Sequence, residues 1–317
     1  MTTNDYAEPA AALASGRMPL LGFGTWQISN REAVQATAYA LQAGYRHIDT
    51  ATMYNNEAGI GKALASAALP RKSVFVTTKL PPAHAGRERR TLGESLTKLG
   101  LTYVDLWLIH WPPNGRAAPR VWEQFIKARQ DGSARAIGVS NYSLSQIDEL
   151  SQVTGVVPEV NQIRWGPSLY DPAVVSGLEQ RGVVLEGYSP FKVSNLSDPA
   201  LVSIAARHDV TTAQVIVAWH VAHGFVVIPK SVRRERIVAN AAGSRITLTA
   251  EDVAAIDELS RAALGRHPLA PACSRARAAG LVGVPAPLLA AERWHLIRAR
   301  ELPDGHGGCR PGCLLSS

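Results

Sequence analysis

Four side chains with complementary acid–base properties stand out early in the chain: Asp49, Tyr54, Lys79 and His110. A free tyrosine titrates near about 10, so it gives up its proton reluctantly at neutral pH. A neighbouring ammonium favours the phenolate and lowers that value, and Lys79 is the candidate. A buried lysine stays charged only beside a counter-charge, which Asp49 can supply. A neutral imidazole at His110 can donate one hydrogen bond and orient a carbonyl oxygen. The set suits proton donation beside a hydride acceptor. Taken singly, each residue has a plainer reading: a solvated or paired charge, or a packed ring with a satisfied polar tip. No HxxxH or CxxC pair occurs before residue 262, so no metal site is expected.

These residues lie far apart in sequence, so a scaffold must gather them. Short apolar runs predict strands over 20–24, 45–49, 74–79, 104–110, 135–139, 159–163, 183–188 and 226–229. Helical patterns fill the intervals, with Asp171, Thr211 or Thr212, and Thr249 as candidate N-caps. Sustained βα alternation implies a parallel sheet with right-handed crossovers. Eight units that close on themselves make a (β/α)8 TIM barrel, in which reactive side chains come from the C-terminal strand ends. Asp49, Lys79 and His110 all fall at such ends, and so do Ser140, Asn141, Gln162, Tyr188, Ser189, Lys230 and Ser231. An open doubly wound sheet is the alternative. It expects a Gly-rich phosphate turn, but Gly22-Phe23-Gly24-Thr25-Trp26-Gln27 lacks the third glycine. The two glycines there read better as a tight strand end.

The composition of the 317 residues, 46 % hydrophobic and 19 % charged, excludes a chain disordered throughout. The net charge of +7 is unevenly placed: residues 262–317 hold seven Arg and three acids, or +4, leaving +3 for the rest. Cys273, Cys309 and Cys313 all lie in that tail as well. A body without cysteine is no disulfide scaffold and fits a reducing compartment, so a cytoplasmic protein is expected. Residues 1–17 lack a basic start followed by an apolar stretch and are expected to be a flexible segment. No run approaches the 18 apolar residues of a membrane span. Neither nucleic-acid nor membrane partners are expected.

Three segments carry a resemblance. Gly44–Ala51 followed by Tyr54, Leu99–Pro112, and Ile228–Val232 followed by Arg236 and Asn240 resemble the signatures of the aldo-keto reductase family. Gly138-Val139-Ser140-Asn141 and Asn161-Gln162 add to the likeness, which covers 18–261. It implies the closed barrel, an NADPH cofactor and a small-molecule carbonyl substrate. Tyr54 would be the general acid, Lys79 with Asp49 would lower its pKa, and His110 would position the carbonyl. Ser140, Asn141 and Gln162 would hold the carboxamide, and Tyr188 would stack on the nicotinamide. Ser189 would lie near the pyrophosphate. Lys230, Ser231 and Arg236 would take the 2′-phosphate, and Asn240 the adenine. Thr25 and Val232 join the cofactor contacts; Trp26 and Trp111 would line the substrate pocket. Two cations and a hydroxyl suit a phosphate dianion, which favours NADPH over NADH.

The short loop 112–119 points to a bacterial, 2,5-diketo-gluconate-reductase-like branch. Departures occur at Ile163–Pro167, at Phe191, and at Ala239, which removes an adenine contact common in relatives. The tail 262–317 matches no family ending. It reads as a frame-shifted terminus, a basic appendage or a disordered end. An NADPH-dependent carbonyl reductase, monomeric, is the expectation; a nicotinamide-nucleotide-binding sensor or an enzyme impaired by its tail are the alternatives.

Overall fold

The computed structural model describes residues 9–260; the atypical tail and its three cysteines lie outside them. Eight parallel strands form the centre: β3 (Phe23–Gly24), β4 (His47–Asp49), β5 (Phe75–Leu80), β6 (Val104–Ile109), β7 (Ala134–Ser140), β8 (Val160–Arg164), β9 (Val184–Tyr188) and β10 (Val226–Ile228). They are hydrogen-bonded in chain order from β3 to β10. A bridge between Leu21 and Val227 joins the two end strands, with Gly22 N donating to Val227 O at 2.9 Å and Gly24 N to Pro229 O at 3.1 Å. The result is the (β/α)8 barrel.

The glycine pair explains this closure. A Cβ on Gly24 would lie 2.6 Å from the Ile228 carbonyl oxygen, and one on Gly22 would lie 2.5 Å from His47 Nδ1. Gly22 and Gly24 let the first strand approach the last, a role for close backbone contact and not for phosphate.

Helices α1 (Asn30–Gln42), α2 (Glu57–Ser66), α3 (Glu88–Leu99), α4 (Pro119–Gln130), α5 (Leu144–Thr154) and α6 (Pro172–Glu179) follow the first six strands. A pair, α7 (Pro199–Arg207) and α8 (Thr212–Ala222), precedes β10, and α9 (Arg234–Gly243) and α10 (Ala250–Asp257) follow it. Asp171, Thr211 and Thr249 cap α6, α8 and α10 as expected, each accepting a backbone N–H. Ser29–Glu32 and Ser143–Gln146 form two capping boxes that the sequence reading passed over.

Two apolar layers result from strand alternation. Trp107, Ile109, Ile137 and Val139 pack outward against helices, among them Trp122 and Phe125 of α4. Leu106, Leu108, Ala136, Val160 and Val226 point into the barrel with Met18 and Leu20. Residues 10–19 correct the expectation of a flexible start. They form a hairpin of β1 (Ala10–Leu13) and β2 (Gly16–Pro19), and Ala11 and Leu13 pack on the inward apolar cluster. Gly16, at φ +144°, opens β2 directly after the Ala14–Ser15 turn, and burial of Met18 and Leu20 repays the ordering.

Candidate active site

Asp49 and Lys79 occupy inward positions of β4 and β5 and are buried together. Lys79 is 0 % exposed, and its Nζ donates to Asp49 Oδ1 at 2.6 Å, Asp49 Oδ2 at 2.7 Å and Thr50 O at 2.8 Å. All three ammonium hydrogens therefore have acceptors. Gln162, on β8, donates its Nε2 to Asp49 Oδ2 at 2.8 Å. Burial pushes the Asp49 carboxyl up, against the pull of Lys79 and Gln162. Burial alone would lower the Lys79 ammonium, but Asp49 overrides it and the net direction is up.

Tyr54 ends a short turn, Thr52–Tyr54, directly after β4. Buried Asn56 fixes this loop by donating to Thr25 O at 2.9 Å and Ile28 O at 3.0 Å and accepting from the Thr50 hydroxyl at 2.8 Å. Thr52 adds a hydrogen bond to Lys79 O at 2.9 Å. The Tyr54 ring then lies 5.1 Å from Lys79 Nζ and 5.6 Å from the His110 ring, edge to face. His110 follows β6, with its N donating to Leu80 O at 3.0 Å. Burial, helped by the Lys79 charge, holds the imidazole down at about 3, so it is neutral at physiological pH. The four expected residues thus meet at one strand-end cluster.

One expectation holds in its cause but not in its net effect. Lys79 does pull the Tyr54 hydroxyl toward acidity, but burial outweighs it and the net direction is up. Asp49 neutralises much of the ammonium's field, because it holds Lys79 through two oxygens. The Lys79 pull limits the rise without reversing it.

Ser140 ends β7 and Asn141 follows it. Ser140 Oγ donates to Gln162 O at 2.8 Å, and Asn141 Nδ2 reaches His110 O at 3.2 Å. The Tyr188 hydroxyl donates to Asn141 Oδ1 at 2.9 Å, which orients the ring at the end of β9. Asn141 and Ser189 both adopt positive φ, 62° and 55°. Non-glycine residues in that region carry strain that clusters at functional sites.

Ser231 is buried, and its Oγ accepts from Arg233 N at 3.1 Å at the start of α9. Arg233 gives that helix no side-chain cap, so its first N–H groups stay available. Lys230, Val232 and Arg236 are exposed, and Asn240 is buried on the same helix. Neither Lys230 nor Arg236 forms a salt bridge among the described residues. Two cations outside any salt bridge among the described residues, a hydroxyl and a helix N-terminus match the chemistry of a phosphate dianion.

Trp26 and Trp111 are each 43 % exposed beside this mouth, and Lys192 Nζ sits 4.6 Å from the Trp26 ring. Thr25 does not fit a ligand contact through its side chain: it is fully buried, and its hydroxyl donates to Asp49 O at 2.9 Å. Sequence reasoning missed Glu186 and His47, both wholly buried inside the barrel. A signal for the first was available: an acid in an otherwise apolar strand, two residues before Tyr188 and so on the same face. A cavity of about 310 Å³ lies at the opposite barrel end and is lined by Leu13, Arg129, Glu159 and Arg181, among others. It contains none of the expected site residues. No group of three or more metal-ligating side chains occurs among the described residues, and none of their helices is long and apolar enough to cross a membrane.

A closed parallel barrel with an ion-paired lysine, a tyrosine and a neutral histidine gathered at its strand ends defines a structural class: (β/α)8 barrels with a buried polar cluster at that end. The comparison with known families makes this specific, for residues 20–261 match the Aldo/keto reductase family, and the chain belongs to it. An aldo-keto reductase of Mycolicibacterium smegmatis is 39 % identical over 256 residues, 79 % of this chain and 93 % of the relative. The crystal structure of an aldo/keto reductase from Brucella melitensis aligns with a TM-score of 0.76 at 40 % identity, covering 79 % of this chain and 97 % of that one. The Bombyx mori aldo-keto reductase, solved in complex with NADP, aligns at 0.74 and 33 % identity, covering 80 % and 92 %.

Proposed function

We propose that the protein reduces aldehydes or ketones to alcohols with NADPH, with Tyr54 as the general acid. The carrying observation is the placement of the Tyr54 ring between the buried Lys79–Asp49 pair and the neutral His110. When bound, the cofactor supplies a hydride to the carbonyl carbon. His110 donates a hydrogen bond to the carbonyl oxygen and fixes its direction. Tyr54 releases its proton to that oxygen as negative charge develops there. An alkoxide is a far stronger base than a phenolate, so the transfer runs downhill even with the Tyr54 hydroxyl held above its ordinary range. Lys79 stabilises the phenolate left behind, and Asp49 keeps Lys79 charged and in place.

Cofactor choice follows from charge. Lys230 and Arg236, with the N-terminus of α9, would grip the 2′-phosphate. Ser140, Asn141 and Gln162 offer amide and hydroxyl groups for the carboxamide, and Tyr188 offers a fixed ring for the nicotinamide. A neighbour solved with NADP supports this reading. The test is a panel of aldehydes and ketones offered with NADPH and with NADH. Consumption of NADPH in preference to NADH, with stoichiometric alcohol, is expected. Tight NADPH binding without turnover across the panel would instead favour a nucleotide sensor.

A further inference from the structure

One ionisable group inside the barrel has no part in that chemistry. Glu186 lies on β9 with its side chain wholly buried. Its neighbour in register on β8 is Gln162, the residue bonded to Asp49, and on β10 it is Val226. Among the described residues neither carboxyl oxygen has a well-formed hydrogen bond, and its nearest polar neighbours are the Gln162 amide and the His47 imidazole. A carboxylate without well-formed hydrogen bonds in such a place is costly, so the group favours its neutral form.

The charged and titratable groups around it are few. His47, on β4, approaches Glu186 Oε1 to 3.7 Å and meets the Thr77 hydroxyl of β5 at 3.1 Å. Burial and the Lys79 charge hold His47 down at about 3, so it brings no positive charge. Asp49 stands two residues further along β4, and Lys79 belongs to β5. Arg164 of β8 is one layer higher, beside Tyr188. Burial, with repulsion from Asp49, pushes Glu186 up to about 8, against Gln162 and Lys79.

We propose that Glu186 is a positioning residue for the reaction: the charge on its carboxyl, set beside the Lys79–Asp49 pair, governs how readily Tyr54 gives its proton. The inference rests on the reductase reading above. With the proton in place on Glu186, the interior holds one ammonium against one carboxylate. Once that proton leaves to solvent, two carboxylates share the Lys79 field, and the second also acts on the Tyr54 hydroxyl directly. Both effects bind the Tyr54 proton more tightly and slow its release. Neighbouring groups titrate elsewhere: His110 at about 3, Tyr188 at about 12 and Tyr54 above its ordinary value. The comparison with Glu186→Gln, and not the midpoint alone, assigns a rate change in the weakly alkaline range to Glu186.

The test is the pH profile of kcat for aldehyde reduction from about pH 6 to about pH 9.5, with NADPH and aldehyde saturating. The wild-type rate falls by roughly threefold to tenfold, the span expected when a donor's pKa moves by about one unit. That fall follows one titration centred near about 8. Glu186→Gln removes the step, and Glu186→Asp restores it with a displaced midpoint. A step that persists unaltered in Glu186→Gln overturns the proposal. Two readouts do not need turnover. Carbon-13 titration of the Glu186 carboxyl in the unliganded wild-type protein gives a midpoint near about 8; a midpoint in the ordinary carboxylate range overturns the proposal. Tyrosinate absorbance assigned to Tyr54 moves to lower pH in Glu186→Gln; an unmoved titration overturns it. Absence of any carbonyl reduction refutes the reductase reading alone, and these two titrations still decide the role of Glu186.

Discussion

Replacing Asp49 by Asn isolates what the buried ion pair does for the fold. Lys79 is completely buried and takes two of its three acceptors from Asp49. The third, Thr50 O at 2.8 Å, would remain, while Gln162 Nε2 would exchange a charged acceptor for a neutral one. Removing one partner of a buried pair costs about 3–5 kcal/mol, because the survivor is a charge without compensation. That is a large part of the roughly 5–15 kcal/mol that holds a typical domain together. The pH dependence distinguishes this cause from simple loss of packing. In the wild type Lys79 is raised above its unfolded value by Asp49, so its contribution is complete below the unfolded value and is lost only as pH rises through the folded one. In Asp49→Asn burial, the largest influence on Lys79, meets only the weaker pulls of Tyr54 and Glu186 and drives Lys79 below its unfolded value. The unfolded chain then binds more protons, so the stability of the variant rises with pH and the gap to wild type narrows. Adding Lys79→Met removes the stranded charge and recovers about 1–4 kcal/mol over the single variant. Urea unfolding at about pH 7 and about pH 9, followed by tryptophan fluorescence, reads all of this. Trp107, Trp122 and Trp219 are buried and report the core. A loss below about 1 kcal/mol, or a gap that widens with pH, would refute the reasoning.

Two other perturbations probe other parts of the molecule. The double variant Lys230→Ala, Arg236→Ala removes two exposed cations beside the α9 N-terminus. At about 1.5–3 kcal/mol for each charge-assisted contact, loss of both weakens NADPH binding by roughly a hundredfold or more while NADH binding is nearly unchanged. Fluorescence titration with both nucleotides checks this, and equal weakening of the two contradicts the assignment. Gly24→Ala places a Cβ where the Ile228 carbonyl oxygen stands 2.6 Å away. It lowers stability by about 1–3 kcal/mol through strain at the barrel seam, measurable as a fall in Tm; an unchanged Tm means the seam can open without cost.

Much of the scaffold is legible in the sequence because the barrel strands are short apolar runs with reactive residues at their ends. Val104–Ile109 followed by His110 is the plainest case, and all six of its strand residues are buried. Capping chemistry is equally local, and Asp171 and Thr249 bond where their positions predict. What was missed depends on distant contacts. The 10–19 hairpin is Ala-rich and is stabilised by packing on the barrel cluster. The inward commitment of the Thr25 hydroxyl depends on Asp49 O, which is 24 residues away in sequence. The direction of the Tyr54 shift is a balance between burial and two opposed charges, which residue types alone do not determine. Glu186 is a single acid in an apolar strand, and only the closed barrel places it beside His47 and Gln162.

The central claim is that Tyr54 delivers the proton in carbonyl reduction. Its most direct test is the rate of NADPH oxidation with a reactive aldehyde for wild type and Tyr54→Phe at neutral pH, with NADPH affinity measured alongside. Loss of the hydroxyl lowers kcat by about 10²–10⁴-fold and leaves NADPH affinity within about twofold. A Tyr54→Phe protein that turns over at the wild-type rate contradicts the account.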